Sequence, residues 1–164
     1  MTVRRTTDAE TRIDRADHGA IRLWLRMMAT NRLVETRTRR LLQERYATTL
    51  PRFDLMAQLE RVPQGLKMGE LSKRMMVTGG NVTGITDLLE KEGLVERIAD
   101  AQDRRATLVR LTPAGRRSFA AMAAEHEGWI VESFRELTGR EMAKLASLLA
   151  RLKTHVRSLE ERDA

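Results

Sequence analysis

The run Thr78-Gly79-Gly80-Asn81-Val82-Thr83-Gly84 gathers short polar side chains and bare backbone in one place. Two glycines at a helix start lower its propensity by about 1 kcal/mol each, and a core helix gains nothing from them. Close approach of the backbone to another surface is a reason to keep them, and free N–H groups at a helix start can bond a phosphate. Asn81 and Thr83 carry side chains that reach base edges in a major groove, where asparagine can pair adenine through two hydrogen bonds. The same residues also suit an ordinary turn with Thr78 as a cap, and alone they leave both readings open. Lys67, Lys73 and Arg74 bracket the short segment just before, placed to meet phosphates and fix register without reading sequence; each alone also reads as a solvated charge. Asp103-Arg104-Arg105 is a second basic site. Arginine at a hairpin tip suits a narrow minor groove, and Asp103 can hold one arginine by a charge-assisted bond. The triplet alone equally suits a soluble polar hairpin.

These groups need a scaffold, and the hydrophobic spacing supplies one. Gly19 to about Arg45 reads as a long helix with Trp24, Met27, Met28, Val34, Leu41 and Leu42 on one face. Arg22, Arg26, Arg37 and Arg40 fall on the other; Arg22 and Arg40 are about five turns apart and project in nearly the same direction. Pro51 suits the first turn of a second helix with Thr49 as cap, and the stretch Val62 to Gly65 ends it. Met68 to Met75 is a short helix, Met76 to Gly80 a turn, and a further helix runs to about Glu92 with Val82, Ile85, Leu88 and Leu89 inward. Gly93 stops it. Leu94 to Ala99 and Thr107 to Leu111 read as a pair of strands joined by a basic loop. Thr112-Pro113 starts a helix to about Leu137, and Thr138 to Glu141 matches a capping box opening the last helix, to about Leu159.

The expected fold is mainly α with a small β-hairpin wing. It is a winged helix-turn-helix at 49–112, with terminal helices at 19–48 and 113–164 forming a dimerisation region and 1–18 a loose tail. The terminal apolar stripes are longer than the middle can cover, which points to a homodimer with interlocked ends.

Composition narrows the function. Lys and Arg total 30 against 23 Asp and Glu, a net charge of +7 that favours an anionic partner. With no cysteine there is no disulfide, thiolate metal site or thiol redox sensor. His18, His126 and His155 lie in no metal-ligand spacing, so no metal and no cofactor are expected. No apolar run approaches the ~20 residues of a membrane span. Met1 to Gly19 is polar and charged, with no signal peptide, so a cytoplasmic location and no membrane partner are expected.

The order of elements, together with GELSKRM (69–75), TGGNVTGITDLLEKEGLVER (78–97) and DAQDRRATLVRLTPAGR (100–116), resembles the multiple-antibiotic-resistance regulator (MarR) family of winged-helix transcription factors. The similarity spans about Ala20 to Leu159, and its most specific part runs from Asp103 to Gly115. The resemblance implies a homodimer on pseudo-palindromic double-stranded DNA, usually a repressor relieved by a small anionic or aromatic effector. It implies base reading by Gly80, Asn81 and Thr83 and a wing contact by Arg104 and Arg105. Some members carry an acidic residue at the start of the recognition helix that pairs with the wing arginine. Thr78 stands there instead, which puts that bridge in doubt.

IRLWLRM (21–27) and LPRFDLMAQLER (50–61) further resemble the branch governing catabolism of plant aromatic acids, whose effectors are hydroxycinnamoyl-CoA thioesters such as p-coumaroyl-CoA. In that reading Trp24, Met28, Phe53, Met56, His126 and Trp129 line an apolar slot for an aromatic ring. Arg22, Arg26, Arg37 and Arg40 hold the coenzyme A phosphates. The same residues also read as plain core and a plain solvent face. Expected overall is a ligand-responsive DNA-binding repressor, not an enzyme, since no nucleophile motif or catalytic cluster appears. The alternatives are a regulator answering a different small aromatic ligand or controlling an efflux gene, a sequence-independent DNA-compacting protein, and an enzyme acting on acyl-CoA or aromatic acids.

Overall fold

The computed structural model describes residues 18–100 and 106–163. In chain order they form α1 (Gly19–Tyr46), α2 (Leu50–Glu60), β1 (Leu66–Lys67), α3 (Met68–Met75), α4 (Gly79–Lys91), β2 (Val95–Ala99), β3 (Thr107–Leu111), α5 (Pro113–Ser133) and α6 (Gly139–Asp163). The chain divides into two units, one through His126 and one from Glu127.

The core of the first unit is where α2, α3 and α4 meet the sheet. Leu55, Met56, Leu59, Leu71, Val82, Leu89 and Val109 are completely buried there. Three helices stop on residues with positive φ: Ala47 after α1, Met76 after α3 and Gly93 after α4. At each stop the following amide bonds a carbonyl from the last turn: Thr48 to Leu42, Val77 to Ser72 and Leu94 to Leu89. Gly93 adopts this conformation without strain. Ala47 and Met76 hold it at a cost of about 1 kcal/mol each.

The sheet differs from the two-stranded expectation. Its order is β1-β3-β2, with β3 in the middle. Leu66 pairs with Val109 and Lys67 with Leu108. β1 has only two residues, too short for an alternation to register in the sequence. It exists because Leu66 buries itself beside Val109. On the other side β2 pairs antiparallel with β3, Val95 opposite Leu111 and Arg97 opposite Val109.

Helix starts follow the expected chemistry in two places. The Thr112 hydroxyl accepts the Gly115 amide at 3.0 Å, capping α5. At α6 the capping box closes in both directions: Thr138 N–H bonds Glu141 Oε2 at 2.8 Å, and Glu141 N–H bonds Thr138 Oγ1 at 3.3 Å. The Thr138 hydroxyl, which donates to Glu141 Oε2 at 2.7 Å, and after it the Thr138 amide hold the Glu141 carboxyl below the usual carboxylate range. α5 ends four residues earlier than Leu137, because Phe134 to Leu137 form the turn that leads into this cap. Thr49 occupies the cap position of α2 but makes no side-chain cap bond.

In the second unit α6 exposes Met142, Leu145, Leu148, Leu149, Leu152, Val156 and Leu159, each 38–49% exposed. In α1 only Thr38 and Leu42 are buried. Among the described residues, no helix is long and apolar enough to cross a membrane.

Candidate nucleic-acid interface

Helix α4 buries one stripe and leaves its opening bare. Val82, Thr86 and Leu89 are the buried residues. Leu88 was expected inward but is 54% exposed, and Thr86 takes the inner position. The spacing 82, 86, 89 faces the core, and Leu88 is rotated off it. Burying Thr86 costs little, since its hydroxyl donates to the Val82 carbonyl at 2.8 Å.

Both glycines fall inside the first turn of α4 rather than in the turn before it, because the helix starts at Gly79. Thr78 sits at the cap position without a side-chain cap bond, so its hydroxyl is not used to close the helix. Thr78, Gly79, Gly80, Asn81 and Thr83 are all exposed. A methyl group at Gly80 or Gly84 would meet nothing within 4 Å, and at Gly79 only Ser72 Oγ at 3.9 Å. None of the three has positive φ. Nothing within the described residues therefore requires glycine here. Gly115 is the contrast: a methyl there would lie 1.9 Å from the Leu94 carbonyl oxygen. The Thr83 hydroxyl donates back to the Gly79 carbonyl at 3.0 Å, which leaves its oxygen free to accept.

The flanking cations differ in their surroundings. Arg74 pairs with Glu70 one turn away on α3. Lys67 Nζ lies 3.3 Å from Asp100 at the base of the basic loop. Lys73 is exposed on the last turn of α3. The Arg74–Glu70 pair is exposed on both sides, contributes little and can be exchanged for a phosphate. The Asp100 amide bonds the Ala106 carbonyl at 3.0 Å and closes the loop base. Arg104 and Arg105 lie outside the described residues, as does Asp103.

One residue that composition and spacing did not select organises this region. Arg97 sits on the face of β2 shared with Val95, the buried face of the sheet. Its guanidinium bonds Asp87 and Glu90 of α4. Glu90 also accepts the Arg97 amide at 3.2 Å, covering the free edge of β2. The Asp87 bond, followed by the Glu90 charge, raises the Arg97 pKa above its ordinary value against the opposing effect of burial. A strand-to-helix bridge therefore exists at Asp87, well past Thr78. The signal in the sequence was an arginine in phase with an apolar face.

The proposed slot residues behave differently from one another. Phe53 is buried, with its ring centroid 4.8 Å from His126 and 5.4 Å from Phe119. Met56 is wholly buried core. Trp24 and Met28 are 56% and 55% exposed, and Trp24 makes no ring contact among the described residues. Trp129 is buried and belongs to the second unit. Of the arginine stripe, Arg40 pairs with Glu44 at 2.8 Å, and the neighbouring Arg39 pairs with Glu35. Burial beside Phe53 pushes the His126 pKa down, opposed by the charge of Asp54. Burial pushes the Asp54 carboxyl up, against the charges of His126 and Arg39. Among the described residues no group of His, Asp and Glu could hold a metal ion.

Comparison with known proteins places this geometry. The MarR family model matches residues 48–107. The transcriptional activatory protein BadR of Rhodopseudomonas palustris is 33% identical over 107 residues, 63% of this chain and 60% of BadR, so the match covers less than two thirds of that relative. The crystal structure of a MarR family transcriptional regulator from Silicibacter pomeroyi is 30% identical, covers 88% of this chain and 99% of its own, and superposes with a TM-score of 0.73. Sco3205, a MarR family regulator from Streptomyces coelicolor crystallised in complex with DNA, shares the fold at 22% identity and a TM-score of 0.74, over 86% of this chain and 89% of its own. With the helix order, the three-stranded wing sheet and a near full-length relative in agreement, the chain belongs to the MarR family of winged-helix transcriptional regulators.

Proposed function

We propose that this protein binds pseudo-palindromic operator DNA as a homodimer and represses the adjacent genes. The observation that carries the reading is the exposed opening of α4, where glycines serve no internal purpose and Asn81 and Thr83 face outward. Gly80, Asn81 and Thr83 would read bases, with Thr78 beside them. Lys67, Lys73 and Arg74 would meet phosphates, and Arg104 and Arg105 the minor groove. The DNA-bound crystal form of Sco3205 supports this use of the fold. The exposed leucines of α6 support a second copy as its cover, in a reading where 19–48 and 113–164 form the dimerisation region and 49–112 the reading unit. In such a dimer two α4 helices about 34 Å apart meet successive major-groove faces.

The test is a mobility shift on the DNA upstream of its own gene. A shift that survives excess scrambled duplex, with affinity falling steeply as salt rises, is expected. Equal affinity for scrambled DNA would instead favour a sequence-independent compacting protein. BadR is named an activatory protein, so a reporter fused to the same promoter sets the sign: deletion of the regulator raises expression if it represses.

For the effector we propose an aromatic acyl-CoA thioester such as p-coumaroyl-CoA, and aromatic-acid catabolism as the regulated process. The support is the resemblance at 21–27 and 50–61, together with apolar Trp24 and Met28 exposed on the helix that carries Arg22, Arg26, Arg37 and Arg40. Phe53, Met56 and His126 of the first unit are the further residues proposed to meet the ring. Calorimetry with p-coumaroyl-CoA, the free acid and coenzyme A tests it. Failure of every aromatic thioester to bind, or binding without any change in DNA affinity, would overturn it.

A further inference from the structure

Met76 is 92% exposed, more than any other large apolar side chain among the described residues. It stands between α3 and α4, two residues before Thr78, with Lys73 and Arg74 on the turn of α3 just before it. Its backbone closes the stop of α3: the Met76 amide bonds the Lys73 carbonyl at 3.3 Å, and the Val77 amide bonds the Ser72 carbonyl at 3.2 Å. Its φ of 54° is a conformation that favours glycine, and the chain does use glycine at the corresponding stop after α4, Gly93. A large thioether held in solvent where glycine would sit without strain serves neither the packing nor the turn. Contact with something outside the chain accounts for it. Thr78, Gly79 and Gly80, exposed alongside, belong to the surface proposed to meet DNA.

The chemistry of the side chain adds a second property. The chain has no cysteine, so its nine methionines carry all of its sulfur. Their surroundings separate them. Met56 and Met122 are buried. Met68 is half-buried, and its sulfur accepts the Thr86 hydroxyl at 3.8 Å. Met28 and Met142 are 55% and 41% exposed, on α1 and α6, the helices proposed to form the dimer contact. Among the exposed methionines of the described residues, Met76 alone lies beside the opening of α4. Oxidation of methionine converts a flexible apolar group into a polar one, and accessible sulfur reacts first.

We propose that Met76 is an apolar DNA contact that peroxide switches off by oxidising its sulfur to the sulfoxide. In the reduced protein the thioether adapts its shape to deoxyribose and thymine methyl groups flanking the bases read by α4. In the oxidation step the sulfur lone pair attacks one oxygen of the peroxide. The S–O bond forms as the O–O bond breaks, and the proton on the transferred oxygen passes to the departing hydroxide, which leaves as water. Sulfur gives up two electrons and the peroxide takes them. The product presents an oxygen acceptor where the apolar contact was. That oxygen repels phosphate oxygens and draws Lys73 or Arg74 away from them. No refolding is needed, since the side chain is already in solvent. This inference rests on the α3–α4 surface binding DNA, and it gives that surface an input other than an effector ligand.

The test treats the full-length protein with hydrogen peroxide for increasing times. Peptide mass mapping follows each methionine, circular dichroism follows the fold, and a mobility shift follows operator binding. Met76 is expected to gain an oxygen atom sooner than Met28 or Met142, with helicity unchanged. Operator affinity should fall in step by about tenfold, the scale of one lost contact. The two methionine sulfoxide reductases, one for each epimer, should restore it. Met76→Leu keeps an apolar group of similar volume, so it should bind operator like the parent and keep that affinity after peroxide. Met76→Gln should bind more weakly without any oxidant. Slower oxidation of Met76 than of Met28, unchanged affinity once Met76 is oxidised, or loss of helicity in step with the loss of binding would each overturn the proposal. So would a Met76→Leu variant as peroxide-sensitive as the parent, or a Met76→Gln variant that binds as tightly. These outcomes overturn it alone, whereas failure of the reduced protein to bind operator overturns the DNA reading and this inference with it.

Discussion

Arg97 of β2 and Asp87 of α4 are joined by an ion pair that ties the wing to the helix proposed to read DNA. Arg97 is on the buried face of its strand, and Asp87 and Glu90 compensate its charge there. Arg97→Leu is expected to lower stability by about 1 kcal/mol, because all three groups are partly exposed and screened. Asp87→Ala should cost less, with Glu90 still in place. Urea denaturation measures both. If the bridge positions the wing, Arg97→Leu should also speed dissociation from operator DNA by more than Asp87→Ala does.

Gly80→Ala separates folding from binding. The added methyl meets empty space, so helix propensity should raise stability by about 0.5–1 kcal/mol. Operator affinity should fall by about tenfold, the scale of one lost base contact. A variant that is more stable and binds DNA unchanged would remove Gly80 from the interface.

Gly115→Ala has the opposite sign. Its methyl would overlap the Leu94 carbonyl, which is backbone and cannot swing away. A loss of about 3 kcal/mol or more is expected in thermal or urea unfolding.

His126 sets an acid-side sensitivity. Its folded pKa lies below the ordinary value, so the unfolded chain binds the proton more readily. Its contribution is present above about pH 6.5 and is lost as pH falls through the lowered folded value. Asp54 has the reverse sign: its raised pKa contributes stability at low pH that is lost as pH rises through the folded value. Urea midpoints at pH 7 and pH 5 should therefore differ less in His126→Phe than in the parent. Asp54→Asn should be more stable than the parent at neutral pH.

Leu149→Glu combined with Leu152→Glu tests the cover of α6. Both side chains are among its exposed apolar residues. The expected result is a monomer by sedimentation, with helicity kept and operator affinity lost. An unchanged dimer would place the contact elsewhere.

The sequence made the helices legible because their signals are local. Thr112-Pro113 and the Thr138–Glu141 box name their own starts, and Gly93 names a stop. What escaped depends on distant partners. β1 requires Val109, more than forty residues away, and two residues carry no period. Thr86 rather than Leu88 turned inward because a threonine can satisfy its hydroxyl on its own helix. Arg52 and Glu92 look like two surface charges until folding pairs them. Of the candidate site, the opening of α4 was readable from residue types. The bridge through Arg97 was visible only as a charge in an apolar phase.

The contact between Gly115 and Leu94 has a mechanical consequence. The Leu94 carbonyl also receives the Thr112 amide at 3.1 Å, and the Thr112 hydroxyl bonds the Gly93 carbonyl at 2.7 Å. With only a hydrogen atom between the two backbones, there is no slack at this joint. It seats the first turn of α5 directly on the backbone that leads into β2. Any change in the direction of those turns would meet the hairpin through main chain, before any side chain is involved.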